Sequence, residues 1–574
     1  MRSTRMRLHD LSARALSAVV IGGMLSACSG ANSGFSPSGG TSPNGLRSPS
    51  NTESFVDTGR ATSETTVHLA VVLKYNNDAK LDKLVEDQGD PASGMYHHFL
   101  TQQQFVKQFG PTPDQYAATV KQLQDAGFTV THQFANRTVI DASAPAPTAE
   151  KYFSTEIHDV RLSDGAARYI NTKAETIPAQ LARTVYQVVG LDSAHTMHPQ
   201  YRFPTNRLQS ALPKAQVSPN KKTPPLFGPD RGYGPGVYRI SYNFPAKMTG
   251  KGQATGVVGD ADFLDSDLTG FLAYFDEKQK VPTTRVAVDG GAPPGLTQDS
   301  VETELDVETI VGIDPDTALY VYTVPGEPDL RYFTDMYNQA VQDNKVGTLN
   351  TSYSECETAF VLSFPKAADK IFEQGAAEGI TFHASSGDYG VYTYGCSYEV
   401  SVGTPTDTPH NVSIGGTTED VDHTTGQETS EVGWSGTGGG VSVIFKVPSY
   451  QKGVTNVIKG GRNLPDVAFD ADPNTGTSLY YNGRFQGPIG GTSLASPIFG
   501  AGITAVNQMN KSRAGYLNPT MYKAWGKLGY GTGKKVYFRD ITQGTIGVYS
   551  AMPGYDQMSG IGVMLFGTFG PQLK

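Results

Sequence analysis

From Thr66 onward the chain alternates short apolar runs with amphipathic stretches, and the alternation predicts its elements. Thr66–Leu73 (TVHLAVVL) reads as a strand. Thr112, followed by Pro113 and Asp114, opens a helix with a cap and a proline in its first turn. Its apolar face is Tyr116, Val120 and Leu123, and Gly127 ends it. Phe128–Val130 and Thr138–Ile140 read as strands, and Ala149–Phe153 as a further helix. A strand, a helix, paired strands and a helix within residues 66–200 predict a small α+β domain.

Past residue 234 the rhythm changes to short apolar strands separated by longer helical stretches. The strands are Ala254–Gly259, Ala318–Tyr322, Gly347–Thr351 and Ile380–Ala384. The helices are Ser300–Ile313, Leu330–Gln342 and Pro365–Glu378, the last with Pro in its first turn and Gly379 just beyond its end. Such β-α-β-α runs predict a parallel sheet with helices on both faces. No GxGxxG follows a strand, so a dinucleotide fold has no support.

Composition narrows the class. The 574 residues include 65 Gly and 35 Pro, above the usual share of about 12 %, which favours a loop-rich enzyme over a helical bundle. Lys+Arg 46 against Asp+Glu 55 gives a net charge of −9, which argues against a nucleic-acid-binding protein. No run of 18 apolar residues occurs, so a multi-spanning membrane protein is excluded.

The ends of these regions carry their own signals. Residues 1–28 read as a signal peptide: Arg2, Arg5, Arg7 and Arg14, then an apolar stretch from Ala15 to Leu25, then Leu25-Ser26-Ala27-Cys28. The last four residues resemble a bacterial lipobox, with Cys28 the lipidated residue; a plain secretory signal is the alternative. Either way the chain is expected outside the cytoplasm, secreted or anchored at the envelope. Residues 29–65, rich in Ser, Gly, Asn, Thr and Pro, read as a flexible linker. A second linker, 201–234, is Pro-rich and basic, the kind of segment where proteolysis concentrates. Cys356 and Cys396 remain after Cys28 is set aside, and in an oxidising compartment they are expected to pair, two unpaired buried thiols being the alternative.

Candidate chemistry centres on Gly490-Gly491-Thr492-Ser493, standing before a small-residue helix over Ile498–Met509. Ser493 at a helix mouth is presented on a flexible turn as a nucleophile would be, although Thr492 or Ser493 could equally cap the helix. A serine nucleophile needs a base. Of the 11 His, only His383, His410 and His423 lie beyond residue 198, and none sits in a His-Gly-Thr context, which weakens a His-dependent subtilase. The helix Glu302-Thr303-Glu304-Leu305-Asp306-Val307-Glu308, which Ser300 can cap, offers carboxylates instead. Glu302 and Asp306 share one face at i,i+4, as do Glu304 and Glu308 on another. Adjacent carboxylates share a proton and give a base competent in acid. Spacing does not choose between the pairs, nor against a solvated acidic face.

Taken together, Gly-Thr-Ser-x-x-x-Pro, Glu-x-x-x-Asp and Ser386-Gly387-Asp388 resemble the sedolisin family of serine-carboxyl peptidases, in order and approximate spacing. Ser435–Ser442 and Arg462–Ala468 are similar to further family motifs, and residues 66–200 resemble its activation prodomain. The resemblance implies a subtilisin-like α/β catalytic domain over 235–574, preceded by a ferredoxin-like α+β prodomain. It implies Ser493 as nucleophile, Glu302 as base, Asp306 sharing its proton, and protonated Asp388 in the oxyanion hole. It also implies one Ca²⁺ held by Asp540, the carbonyls of Ile541, Met552 and Gly554, and Asp556, with Met552 standing where the family usually has Gly. Protein or peptide substrates, the chain's own prodomain as inhibitor, self-processing and a monomer are expected. A catalytically silent scaffold of the same fold is the rival reading.

Overall fold

The computed structural model describes residues 55–204, 224–326, 329–358, 363–396 and 399–574. The proposed signal, Cys28 and most of the first linker therefore lie outside the described residues, as do residues 205–223 of the second.

The N-terminal region builds a four-stranded antiparallel sheet in the order 129–133, 139–145, 66–73, 185–189. With helices Pro113–Asp125 and Ala146–Phe153 this is the ferredoxin-like α+β arrangement the sequence implies. Thr112 caps its helix as expected: its hydroxyl accepts from Gln115 N–H while the Gln115 side chain accepts from Thr112 N–H. Val67, Leu69, Val71, Leu123, Ile140 and Phe153 form one buried core.

One boundary moves. Phe55–Arg60, within the stretch expected to be a tether, is a strand paired antiparallel with Ile157–Leu162. It is an edge strand with mostly exposed side chains, so its polar composition reads as linker although its backbone is paired.

The second region holds an eight-stranded sheet. Strands 284–287, 318–323, 254–259, 348–351, 381–385 and 411–421 run parallel in that order, 467–470 also pairs parallel with 411–421, and 428–433 closes an antiparallel edge. Successive strand residues face opposite sides. Accordingly Val257 packs with Phe271, Val307 and Ile310, whereas Val258 packs with Phe333, Tyr337 and Phe372. Helices thus cover both faces, in the subtilisin-like architecture. The start of this region also differs from expectation. Residues 224–234 are packed onto it: Ser478 Oγ donates to Asp230 Oδ1 at 2.6 Å and Tyr233 N–H to Gly476 O at 2.9 Å. Neither described end of the 201–234 linker is loose.

Candidate active site

Three neighbouring parallel strands, 254–259, 348–351 and 381–385, end side by side. The residues just past their carboxyl ends are Asp260, Ser352 and Asp388, where α/β sheets place their ligands. Two helices supply the rest. Ser300–Ile313 is buried nearly all round, and Thr492–Asn510 packs against it.

The helix Thr492–Asn510 starts from Gly491 at φ 103°, with no side-chain cap, so neither Thr492 nor Ser493 has the capping role. A Cβ at Gly491 would lie 2.3 Å from Gln200 O, 2.5 Å from Asp388 Oδ2 and 2.7 Å from the Tyr201 Cα, so only glycine fits there. Ser493 is fully buried. Its Oγ donates to Glu302 Oε2 at 2.8 Å and lies 3.0 Å from Ser352 O.

The acidic helix is not a solvated face. Glu302, Glu304, Asp306 and Glu308 are all buried, and each has its own partner. Asp306 Oδ1 accepts from Ser352 Oγ at 2.7 Å, and Ser352 Oγ in turn accepts from Asn350 Nδ2 at 2.9 Å. Glu304 accepts from Leu264 N–H at 2.7 Å and Glu308 from Tyr480 N–H at 3.0 Å, so this second pair is tied to backbone away from Ser493. Ser300 does not cap the helix. Asp299 holds that position without a side-chain bond, and Ser300 Oγ accepts from Thr297 N–H.

Burial pushes the Glu302 carboxyl well above its usual range, and the charge on Asp306 pushes it further; the Ser493 hydroxyl acts the other way. Burial likewise raises Asp306, opposed by Ser352 and Asn350. Among the described residues, Glu302 Oε1 and Asp306 Oδ2 accept no hydrogen bond.

Asp388 follows the left-handed Gly387 (φ 118°). Thr492 N–H and Oγ–H both donate to Asp388 Oδ1, at 2.7 and 2.9 Å, while Oδ2 accepts no hydrogen bond among the described residues. Burial raises this carboxyl to about 6, opposed by the nearby Arg202 and the Thr492 bonds. The three histidines beyond residue 198 have partners elsewhere. His383 pairs with Ser496 and is driven down to about 3 by burial, His410 pairs with Asp369, and His423 stacks on Phe227.

Several participants carried no sequence signal. Ser352 contributes a carbonyl and a hydroxyl beside Ser493 and Asp306. Asp260 accepts from Tyr353 Oη at 2.7 Å and is raised to about 6 by burial. Residues 198–202 cross the site itself, with Gln200 hydrogen-bonded to Ser493. Cys356 and Cys396 are bonded, as expected, and anchor the end of the strand Tyr353–Cys356 that lines this crossing.

Two pairs of the expected calcium ligands touch, Asp540 with Gly554 and Asp556 with Met552. Asp540 accepts from Gly554 N–H at 3.2 Å, and Asp556 accepts from Met552, Met558 and Ser559 N–H at 2.7–2.9 Å. Met552 is not in the left-handed region; Gly554 takes that turn at φ 89°, so a side chain at 552 is tolerated. Two carboxylates and loop carbonyls suit a hard cation, although Asp556 already spends both oxygens on N–H donors. Among the described residues, the three-carboxylate cluster that could hold a metal is a different one, Asp141, Asp289 and Asp335. Arg331 pairs with two of its members, at 2.8 and 3.2 Å.

Known proteins agree with this architecture. Residues 53–194 match the family described as "Pro-kumamolisin, activation domain". Over 567 residues the chain is 29 % identical to sedolisin from Pseudomonas sp. (strain 101), covering 92 % of each. It is 28 % identical over 545 residues to kumamolisin from Bacillus sp. (strain MN-32), covering 88 % of this chain and 91 % of that one. The solved structure of Pseudomonas sedolisin, a serine-carboxyl proteinase complexed with pseudo-iodotyrostatin, superposes with a TM-score of 0.54 at 28 % identity, over 59 % of this chain and 97 % of that one. Over nearly its whole length the chain is thus similar to serine-carboxyl peptidases of the sedolisin type, and residues 53–194 match the pro-kumamolisin activation domain.

Proposed function

We propose that this chain is the secreted zymogen of an acid-active endopeptidase that works through Ser493. The observation that carries the reading is the buried Ser493–Glu302 hydrogen bond of 2.8 Å, at the carboxyl ends of the sheet. Glu302 Oε2 takes the proton from Ser493 Oγ as that oxygen attacks the substrate carbonyl carbon. Asp306, held by Ser352, shares the proton on Glu302 and keeps the pair from carrying two charges. The negative oxygen that develops is met by Ser493 N–H and by the Asp388 carboxyl, which donates only while protonated. Glu302 then returns its proton to the leaving amine, and water releases the acyl group by the reverse path.

A calcium ion on the Asp540–Asp556 loop would be held by those two carboxylates and the carbonyls of Ile541, Met552 and Gly554, and would supply structural anchoring. The N-terminal basic and apolar residues support export. Purified protein incubated at about pH 3–5 with casein should hydrolyse it, and Ser493→Ala should not. Equal hydrolysis by both would refute the assignment.

A further inference from the structure

The segment His198–Arg202 lies in the cleft as an extended strand bonded on both sides. His198–Pro199 pairs antiparallel with Tyr353–Ser354. Gln200 N–H points at Ser352 O (3.0 Å) and Ser493 Oγ (3.1 Å). Ser493 N–H donates to Gln200 O at 2.9 Å. Beyond, Arg202 exchanges both backbone bonds with Gly490, at 2.9 and 2.8 Å. Gln200 O is also the atom nearest the missing Cβ of Gly491, with Asp388 Oδ2 next to it. The carbonyl presented to the nucleophile and its N–H is thus that of Gln200, and the peptide held on either side is Gln200–Tyr201.

We propose that Gln200–Tyr201 is the first bond this chain cuts, in itself, with Arg202 as the anchor on the leaving side. The proposal rests on the peptidase reading above and adds to it the bond and the contacts that select it. Ser493 Oγ bonds to the Gln200 carbonyl carbon, and its proton passes to Glu302. The C–N bond to Tyr201 breaks, the Tyr201 amine takes that proton, and water frees the Gln200 carboxylate.

Selection comes from backbone and from Arg202. The Gln200 side chain folds back onto His198 O at 2.7 Å rather than reaching into the catalytic domain. The Arg202 guanidinium lies 3.8 Å over the Tyr389 ring, donates to Asp388 O at 3.4 Å and approaches Asp388 Oδ2 to 3.8 Å. An arginine two residues past the scissile bond therefore docks on the catalytic domain through stacking and charge.

The test is a time course of the full chain after acidification, read by intact mass and N-terminal sequencing. The earliest products should be a fragment ending at Gln200 and one beginning at Tyr201, absent in Ser493→Ala. Arg202→Ala should slow their appearance about tenfold. The matured enzyme should also cut a synthetic Met197–Pro204 peptide between its Gln and Tyr. If casein is cleaved while the earliest Ser493-dependent opening lies elsewhere, for example within 205–234, this inference is overturned and the peptidase reading stands. If neither casein nor the chain is cleaved, both fall.

Discussion

Ser493 Oγ sits 2.8 Å from Glu302 Oε2, and both side chains are wholly buried. The two neighbouring carboxylates on the same helix, Glu304 and Glu308, are equally buried but bond to Leu264 and Tyr480 backbone. Glu302→Gln should therefore lower kcat by about 10²–10⁴-fold, the usual worth of a positioned base. Glu304→Gln keeps its acceptor oxygen and should stay within a few-fold of wild type. Steady-state kinetics on one peptide substrate compare the two, and matching losses would remove the distinction.

Asp388 titrates near 6, raised by burial, and it can donate to an oxyanion only below that value. Activity should fall as pH rises through that region. Losing one such donor costs about 10²–10³ in rate, so Asp388→Ala should be weak at every pH. Asp388→Asn donates at any pH and should retain part of the activity towards neutrality. Because Glu302 and Asp306 titrate as a pair, the limbs of the profile belong to the group, not to single residues. Asn and Ala variants equally inactive, with no broadening, would mean that Asp388 does something else.

Buried carboxyls also make stability depend on pH. Asp388 and Asp260 are raised to about 6, and Glu304 and Glu378 to about 8, all mainly by burial. The unfolded chain releases these protons near pH 4. Between about pH 4 and each raised value the native state binds more protons, so stability falls as pH rises through that window. Each group contributes about 1.36 kcal/mol per pH unit. Ser493→Ala protein, which cannot digest itself, should melt at a higher temperature at pH 4 than at pH 8. A flat or rising Tm over that range would contradict the burial argument.

The Cys356–Cys396 bond closes a loop of sequence separation 40 behind the strand that lines the cleft. Replacing both with Ser should cost about 2–4 kcal/mol, visible as a lower denaturant midpoint. It should also weaken the grip of Tyr353–Ser354 on the linker. An unchanged midpoint would show that the bridge adds nothing to stability.

Calcium binding only the native loop would stabilise the fold by mass action, about 2.7 kcal/mol at a hundredfold excess over Kd. Added calcium should raise Tm, and Asp540→Asn should abolish the increase while leaving the fold intact. A Tm indifferent to both calcium and chelator would remove calcium from the account.

Much of this is legible in the sequence. Ser300–Ile313 has the helix bounds read from the sequence; Ser493 bonds to Glu302, and Asp388 accepts from the neighbouring Thr492, while the catalytic roles of these residues belong to the proposal. What spacing left open, solvated or buried acids and which pair, was decided by partners far away in sequence: Ser352, Leu264 and Tyr480. Gln200 and Ser352 act largely through backbone N–H and C=O groups, which every residue carries, so no side-chain pattern marks them. The strand Phe55–Arg60 carries no apolar signature, because an edge strand needs little apolar character to pair.

A serine nucleophile served by buried carboxyls should set the pH dependence of casein hydrolysis by the matured enzyme, measured from about pH 3 to 8. The expected profile peaks in acid and vanishes in Ser493→Ala. A profile peaking at neutral pH would point to a histidine base, and no activity at any pH would point to a silent scaffold; either would contradict it.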